Sequence, residues 1–191
     1  MISRRQFIQA MIAGMATLSA GEASALEGGP SFRFQGTRQA PDSEFQASKR
    51  LNMYNIHTGE KLDVQYYSSG EYHQQALDSI HYFLRCHYTN EVKEIDIRVI
   101  DLLCDVKDAL GKNREIQIIS GYRSPAYNHF LVSLGRNVSP RSLHLQGLAI
   151  DFAVEGTSNS TLFQLARTFE AGGVGKYPDF VHIDVGRVRY W

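Results

Sequence analysis

The chain has 191 residues, of which 43% are hydrophobic and 21% are charged, and its 20 basic side chains balance its 20 acidic ones. A formal net charge of zero gives no electrostatic reason to expect nucleic acid or an anionic membrane surface as a partner. Once an N-terminal leader and a linker are set aside, the remaining length suits one compact domain with a single core.

The N-terminal segment has the three-part layout of an export signal. Arg4 and Arg5 precede a mildly apolar stretch from Phe7 to Leu18, and small residues end at Ala25, where cleavage is expected. The pair within SRRQFI resembles the signature read by the twin-arginine export machinery, with an ordinary secretory signal as the alternative. The apolar stretch falls short of the ~20 residues that span a bilayer. We therefore expect residues 1–25 to direct the protein to the periplasm and to leave no stable membrane anchor.

The next segment, residues 26–50, has closely spaced glycines and prolines and no sustained hydrophobic period. This composition predicts a linker or a loosely docked arm. Residues 51–191 are then expected to form the folded domain.

Strand and helix patterns alternate in the first half of this domain. Hydrophobic residues at two-residue spacing predict two strands on either side of a turn at HTGE. Amphipathic helices are predicted over 71–88 and over 96–110, the second with Asp96 as its N-cap. A short strand at 115–120 follows.

The second half begins with the loop GYRSP and a short helix that ends at Gly135. After the segment SLHLQGLAIDF, a helix is predicted over about 161–171. GGVGKYP is interpreted as a glycine-rich turn, and FVHIDVG as the closing strand.

Cys86 and Cys104 are the only cysteines. In an oxidising compartment they could form a disulfide. Both lie in helix-like segments beside apolar residues, which fits two buried free thiols equally well, and neither is near the polar motifs.

SLHLQGLAIDF contains a carboxylate in an otherwise apolar strand. Because side chains alternate along a strand, Ile150 and Phe152 share one face, and Asp151 lies on the other between small alanines. A buried carboxylate is costly unless it is paired, hydrogen-bonded or bound to a metal.

The closing strand has a matching polar face, which carries His182 and Asp184. If the two strands pair antiparallel, Asp151 and His182 are neighbours, and a bend at Gly147 brings His144 over the same face. Two imidazoles and one carboxylate suit a catalytic zinc site with three protein ligands. The alternative is a salt bridge from Asp151 to one of the histidines.

These motifs resemble a known family. SLHLQGLAIDF is similar to the Ser-x-His-x-x-Gly-x-Ala-x-Asp motif of the zinc D-alanyl-D-alanine peptidases, a group that includes the dipeptidase VanX and, more remotely, the Hedgehog signalling domain. The segments SGYRSPAYN and GGVGKYPDFVHIDVGRVRYW resemble its murein endopeptidase K (MepK, YcbK-like) branch. The resemblance runs from about residue 51 to residue 191 and includes the leader.

The resemblance implies roles for five residues. His144, Asp151 and His182 match the zinc ligands of the family. Arg123 and Ser142 match positions that line the substrate cleft in relatives. A guanidinium also suits bidentate capture of a carboxylate, although a loop arginine bonded to backbone carbonyls is the alternative for Arg123.

The general base is less clearly matched. VanX-like members use a glutamate three residues before the last ligand, where this chain has Asp179. Other relatives use a histidine two residues before it, where this chain has Phe180. Asp184, on the same strand face as His182, could accept a proton or orient the imidazole. We expect Asp184 to be the functional carboxylate, with Asp179 second.

The expected fold is α+β, with a small antiparallel sheet that carries the zinc site on one face and packs against several helices. The expected function is a periplasmic zinc metallopeptidase that hydrolyses amide bonds in peptidoglycan stem peptides, foremost as a cross-link endopeptidase. A D-alanyl-D-alanine carboxypeptidase and a non-catalytic, zinc-stabilised peptidoglycan-binding module are the alternatives.

Overall fold

The computed structural model describes residues 48–111, 113–136 and 138–191. The predicted export signal and residues 26–47 of the predicted linker lie outside these ranges. Regular structure begins at Lys49, two residues before the expected start of the domain. Within the described residues, no helix combines the length and apolarity that a membrane span requires.

One sheet contains all the strands of the described residues. In chain order they are β1 Lys49–Asn55, β2 Lys61–Ser68, β3 Glu71–Tyr72, β4 Ile116–Ser120, β5 Ala149–Val154, β6 Gly173–Lys176, β7 Val181–Asp184 and β8 Arg189–Tyr190. Their spatial order is β3-β2-β1-β4-β5-β7-β6-β8. The central strands β5 and β7 are therefore next to each other and supply the polar face predicted from the sequence.

Within the described residues, the helical elements are α1 Gln74–Phe83, α2 Ile97–Leu110, α3 Pro125–Ser133, α4 Asn159–Arg167 and a short 3-10 helix Leu143–Gln146. Asp96 caps α2 as predicted, because its side chain accepts a hydrogen bond from the backbone N–H of Arg98. Ser124 and Ser158 cap α3 and α4 in the same way. The cap at Ser158 starts α4 two residues earlier than predicted, and the helix ends at Arg167, four residues early.

The core lies on one face of the sheet, where α2 packs against β1 and β7, and α4 against β5, β6 and β7. Alternation along β5 and β7 assigns their hydrophobic residues to this core and leaves the polar residues on the other face. The fully buried strand residues of the core are Leu51, Met53, Tyr66, Ile116, Ile118, Ile150, Phe152, Val181 and Ile183.

The predicted α+β class is confirmed, but the sheet is larger than expected and is mixed. β1 pairs with β4 in parallel, and so does β6 with β8, while the other pairs are antiparallel. The predicted turn GGVGKYP is wrong, because most of it forms β6. Its glycines serve close packing: a Cβ on Gly175 would lie 2.5 Å from the ring of Trp191.

Both cysteines are free and buried. The Cys86 thiol donates to the Ser124 hydroxyl over 3.5 Å, and the Cys104 thiol donates to the Arg50 carbonyl over 3.6 Å. The structure therefore agrees with the thiol interpretation rather than with a disulfide.

Candidate metal centre

The pairing of β5 with β7 places two of the predicted ligands side by side. Their antiparallel register sets Asp151 directly opposite His182, as the strand alternation predicted. Both side chains are buried, with exposed fractions of 5% and 9%. A carboxylate at this depth needs partners, and the neighbouring strand supplies one.

The third predicted ligand, His144, comes from the 3-10 helix just before β5. The chain turns into β5 at Gly147, which has a φ of 71°, and a Cβ there would lie 2.3 Å from the Glu94 carbonyl oxygen. Glycine is thus required both for the backbone conformation and for the close approach. This turn brings His144 over the face that carries Asp151 and His182.

Three acceptor atoms converge at this point. His144 Nε2 lies 3.2 Å from Asp151 Oδ1 and 3.3 Å from His182 Nδ1, and His182 Nδ1 lies 2.7 Å from Asp151 Oδ1. Zinc with bonds of about 2.0–2.1 Å holds tetrahedral ligand atoms about 3.3 Å apart. The spacing therefore fits one metal ion held by His144, Asp151 and His182. These three residues form a buried group that could bind a metal ion.

In each imidazole, the ring nitrogen that points away from the cluster makes a hydrogen bond, and this bond fixes the tautomer. His144 Nδ1 lies 2.8 Å from the Gly121 carbonyl oxygen, which can only accept, so Nδ1 carries the proton and Nε2 has its lone pair free. His182 Nε2 likewise donates to Asp184 Oδ2 over 3.0 Å. With both imidazoles neutral, two lone pairs and a carboxylate oxygen face one another, and a metal ion or a shared proton between them removes the repulsion.

The acid–base properties of the cluster follow from the same contacts. Where a proton takes the place of a metal, burial opposes the imidazolium, but hydrogen bonds to Asp151 and Asp184 outweigh it and raise the pKa of His182 to about 9. Burial would raise the pKa of Asp151, yet His144 and His182 hold it well below its usual range. The site therefore favours bound positive charge.

Asp184 lies behind His182, fully buried, and both of its oxygens are saturated. Oδ1 accepts from the backbone N–H groups of Gly173 and Gly186 and from Arg189 Nη1, at 2.9–3.1 Å. Oδ2 accepts from His182 Nε2 and from Arg189 Nη2. Although burial alone would raise it, these donors keep the pKa of Asp184 well below its usual range. The contacts favour the orienting role over that of a proton acceptor.

A cleft of about 440 Å³ opens in front of the cluster. Arg123 lies in its wall, nine-tenths buried, with Nη2 3.6 Å from Asp151 Oδ2. Its buried Nε has no hydrogen-bond partner among the described residues, which disfavours the backbone-bonded alternative. Ser142, the residue before the 3-10 helix, also lines the cleft. Arg123 Nε is thus a buried donor next to the proposed ligands.

Asp179 differs from the other predicted site residues. It is exposed on the turn between β6 and β7 and does not line the cleft, although Tyr177 and Phe180 on the same turn do. The structure therefore brings five of the seven predicted residues to the cleft wall and leaves Asp184 behind it and Asp179 outside it. The five are Arg123, Ser142, His144, Asp151 and His182.

Two residues near the C-terminal end of the sequence belong to the site but were not predicted. The ring of Trp191 lies 5.4 Å from that of His182, and its Nε1 donates to the Tyr177 hydroxyl over 3.0 Å. Arg189 lines the cleft while it binds Asp184. The only sequence signal was the position of RVRYW after the closing strand, because a two-residue strand such as β8 has no detectable period.

Comparisons with known proteins agree on one family. The family described as peptidoglycan L,D-endopeptidase MepK (Peptidase_M15_2) matches residues 43–191. The peptidoglycan L,D-endopeptidase MepK of Escherichia coli K12 is 38% identical over 143 residues, which cover 74% of this chain and 79% of that protein. A probable peptidoglycan L,D-endopeptidase MepK of Haemophilus influenzae is 34% identical over 144 residues, which cover 74% and 77%. No solved structure matches the chain. All the site residues lie inside the range matched by the family.

The different surroundings of Asp184 and Asp179 give a matched test. Asp184→Asn should lower the free energy of unfolding by about 2–4 kcal/mol, because an amide cannot accept all five hydrogen bonds and leaves Arg189 without its charge partner. Asp179→Asn, the same change at an exposed position, should stay within about 0.5 kcal/mol of the unsubstituted protein. Urea unfolding with EDTA present measures both values, and equal stabilities would contradict the buried network.

Proposed function

The chain belongs to the MepK family of peptidoglycan endopeptidases, and from this premise we propose that it is a zinc enzyme that cuts cross-links between peptidoglycan stem peptides outside the cytoplasm. The bond it hydrolyses would be an amide of the L,D type, as the names of its relatives indicate. The observation that carries the zinc assignment is the convergence of His144 Nε2, His182 Nδ1 and Asp151 Oδ1.

The donor set fits zinc better than harder cations. Two neutral imidazoles and one carboxylate are typical of catalytic zinc, whereas magnesium and calcium prefer all-oxygen sites. Both proposed histidine ligands also have a partner that holds them in place: His144 has the Gly121 carbonyl, and His182 has Asp184. When bound, zinc supplies a Lewis acid that lowers the pKa of water and stabilises developing negative charge.

Two tasks remain for the side chains of this region: to bind the reacting amide and to transfer a proton. Arg123 lines the cleft with Nη2 3.6 Å from Asp151 Oδ2, and its buried Nε has no partner among the described residues, so its guanidinium can hold a substrate oxygen at the reacting amide. Hydrolysis forms a bond from the water oxygen to the carbonyl carbon and breaks the bond from that carbon to nitrogen. A carboxylate must carry the water proton to the leaving amine. Since Asp184 is saturated with donors, we propose Asp179, the second predicted carboxylate, for this step: it lies outside the cleft lining, but its neighbours Tyr177 and Phe180 on the same turn line the cleft.

The function is tested by product analysis on purified sacculi. Zinc-loaded protein should remove cross-linked dimers from the muropeptide profile, and it should contain about one zinc per chain. His182→Ala should lose both metal and activity, because one of three ligands is gone, whereas His129→Ala, an exposed histidine of α3, should keep both.

The other candidate functions are distinct outcomes of that assay. Shortened stems with intact dimers would indicate a carboxypeptidase, and an unchanged profile would indicate a binding module. Full zinc occupancy and full activity in His182→Ala would remove the proposed metal centre.

The roles of the two aspartates separate in kinetics. Asp179→Asn should retain zinc but lose about 100-fold or more in turnover, because the amide cannot take up the proton. Asp184→Asn should instead bind zinc about 10- to 100-fold more weakly, with its rate restored by excess metal. Zinc titrations on a cross-linked muropeptide measure both effects. Near-normal turnover of Asp179→Asn would exclude it as the base.

Export rests on the leader, which lies outside the described residues. The pair Arg4 and Arg5 within SRRQFI supports the twin-arginine route, and cleavage is proposed after Ala25. Replacement of both arginines by lysine should leave uncleaved precursor in the cytoplasm, since the pair is read by a receptor and not as a general charge. Immunoblots of cell fractions measure this, and normal processing would point to the general secretory route.

A further inference from the structure

The cleft concentrates positive charge in a protein whose formal net charge is zero. Four arginines line it: Arg123, Arg136, Arg141 and Arg189. Its described lining contains a single carboxylate, that of Asp151, which is already held by the two histidines. The basic character is therefore local to the cleft, and it suits a ligand with several negative charges.

Two of the four guanidiniums are engaged and two are not. Arg189 forms an ion pair with Asp184, and Arg123 faces Asp151. The side chains of Arg136 and Arg141 are exposed, and neither has a carboxylate partner in the described part of the chain. Both are thus available to a ligand in the cleft.

Hydrogen bonds hold the described backbone at Arg136 and at residues 139–141. The backbone N–H of Arg136 donates to the Leu131 carbonyl over 3.0 Å, and that of Arg141 donates to the Ser139 hydroxyl over 3.1 Å. Asn128, buried in α3, donates from its side chain to the Ser139 carbonyl over 3.2 Å. The backbone positions of both arginines are therefore fixed relative to α3, which lowers the entropy lost when they bind a ligand.

The β6–β7 turn and the residue after β8 add an apolar surface to the same cleft. Tyr177 and Phe180 stack with ring centroids 4.5 Å apart, and Trp191 is hydrogen-bonded to Tyr177. A hydrocarbon chain can pack on these rings while charged groups at its ends reach the arginines. This combination favours a peptide whose acidic groups are carried on aliphatic stems.

We propose that Arg136 and Arg141 are specificity-determining residues that bind free carboxylates of the substrate away from the reacting amide. These two residues would then favour peptides with free carboxylates close to the cut bond over uncharged analogues of the same peptides. A planar guanidinium binds a carboxylate through two parallel hydrogen bonds, which a carboxamide cannot reproduce. This inference rests on the proposed peptidase function of the site.

The test uses two synthetic dimers of stem peptides joined through diaminopimelate, one with free carboxylates and one with the same groups as carboxamides. The unsubstituted enzyme should have a KM about 10-fold lower for the carboxylate dimer. Arg136→Gln and Arg141→Gln should each raise that KM by about 3- to 10-fold, and the double variant by more, with kcat within about 2-fold. The KM for the carboxamide dimer should not change.

Two control variants test whether a change in KM depends on the position of the arginine and on the shape of its guanidinium. Arg114→Gln removes an exposed arginine outside the cleft, whose guanidinium only reaches the Glu155 carbonyl at 3.4 Å, and it should leave both KM values unchanged. Arg136→Lys keeps the charge but not the planar fork, so its KM should lie between those of the glutamine variant and the unsubstituted enzyme.

Binding of each dimer to the zinc-loaded protein, measured by calorimetry, separates this inference from the proposed function. If neither dimer is cut but the carboxylate dimer binds more tightly and loses that advantage in the double variant, the peptidase function fails and the carboxylate recognition stands. The inference is overturned if the two dimers bind equally well. It is also overturned if Arg114→Gln weakens binding of the carboxylate dimer as much as the double variant does.

Discussion

The repulsion among three acceptor atoms is the constraint on which the site depends. His144 Nε2, His182 Nδ1 and Asp151 Oδ1 lie within 3.3 Å of one another, and a compact fold tolerates this only where a cation neutralises them. The surrounding structure holds these atoms in place. The β5–β7 register fixes two of them, and the turn at Gly147 fixes the third. Within this frame, the Gly121 carbonyl and the Asp184 carboxylate choose which nitrogen of each imidazole faces inward.

Strand alternation made the centre of the site predictable. A period of two assigns Asp151 and His182 to one face without knowledge of the tertiary structure, and antiparallel pairing then makes them neighbours. The same rule could not identify β6, because its glycines, which allow the close approach of Trp191, have the composition of a turn. Nor could it identify β8, since two residues have no period. The sheet was therefore expected to be smaller than it is, and its parallel pairs were missed.

The sequence predicts the strand face on which a side chain lies, but it does not predict how deeply that side chain is buried or which groups enclose it. Alternation places Asp184 beside His182 but does not show that Gly173, Gly186 and Arg189 enclose it with donors. Gly186 and Arg189 follow Asp184 within five residues, but the contact with Gly173 forms only when β6 pairs with β7. The same limit applies to Arg136 and Arg141, which belong to no regular element and reach the cleft because their loop is anchored to α3. Contacts made by glycine backbones, loops and strand ends leave no periodic pattern in the sequence.

The Gly121 carbonyl links the candidate metal centre to a distant part of the core. A Cβ on Gly121 would lie 2.4 Å from the Leu84 carbonyl oxygen, and the next residue, Tyr122, donates its N–H to that same oxygen. The orientation of His144 thus depends on the backbone path at the end of α1. The exposed side chains of α1 can be changed without moving that path, whereas an insertion or deletion at the end of the helix would displace the Gly121 carbonyl. Laboratory libraries that seek new cleavage preferences should accordingly spare this junction and diversify the arginine-bearing loop.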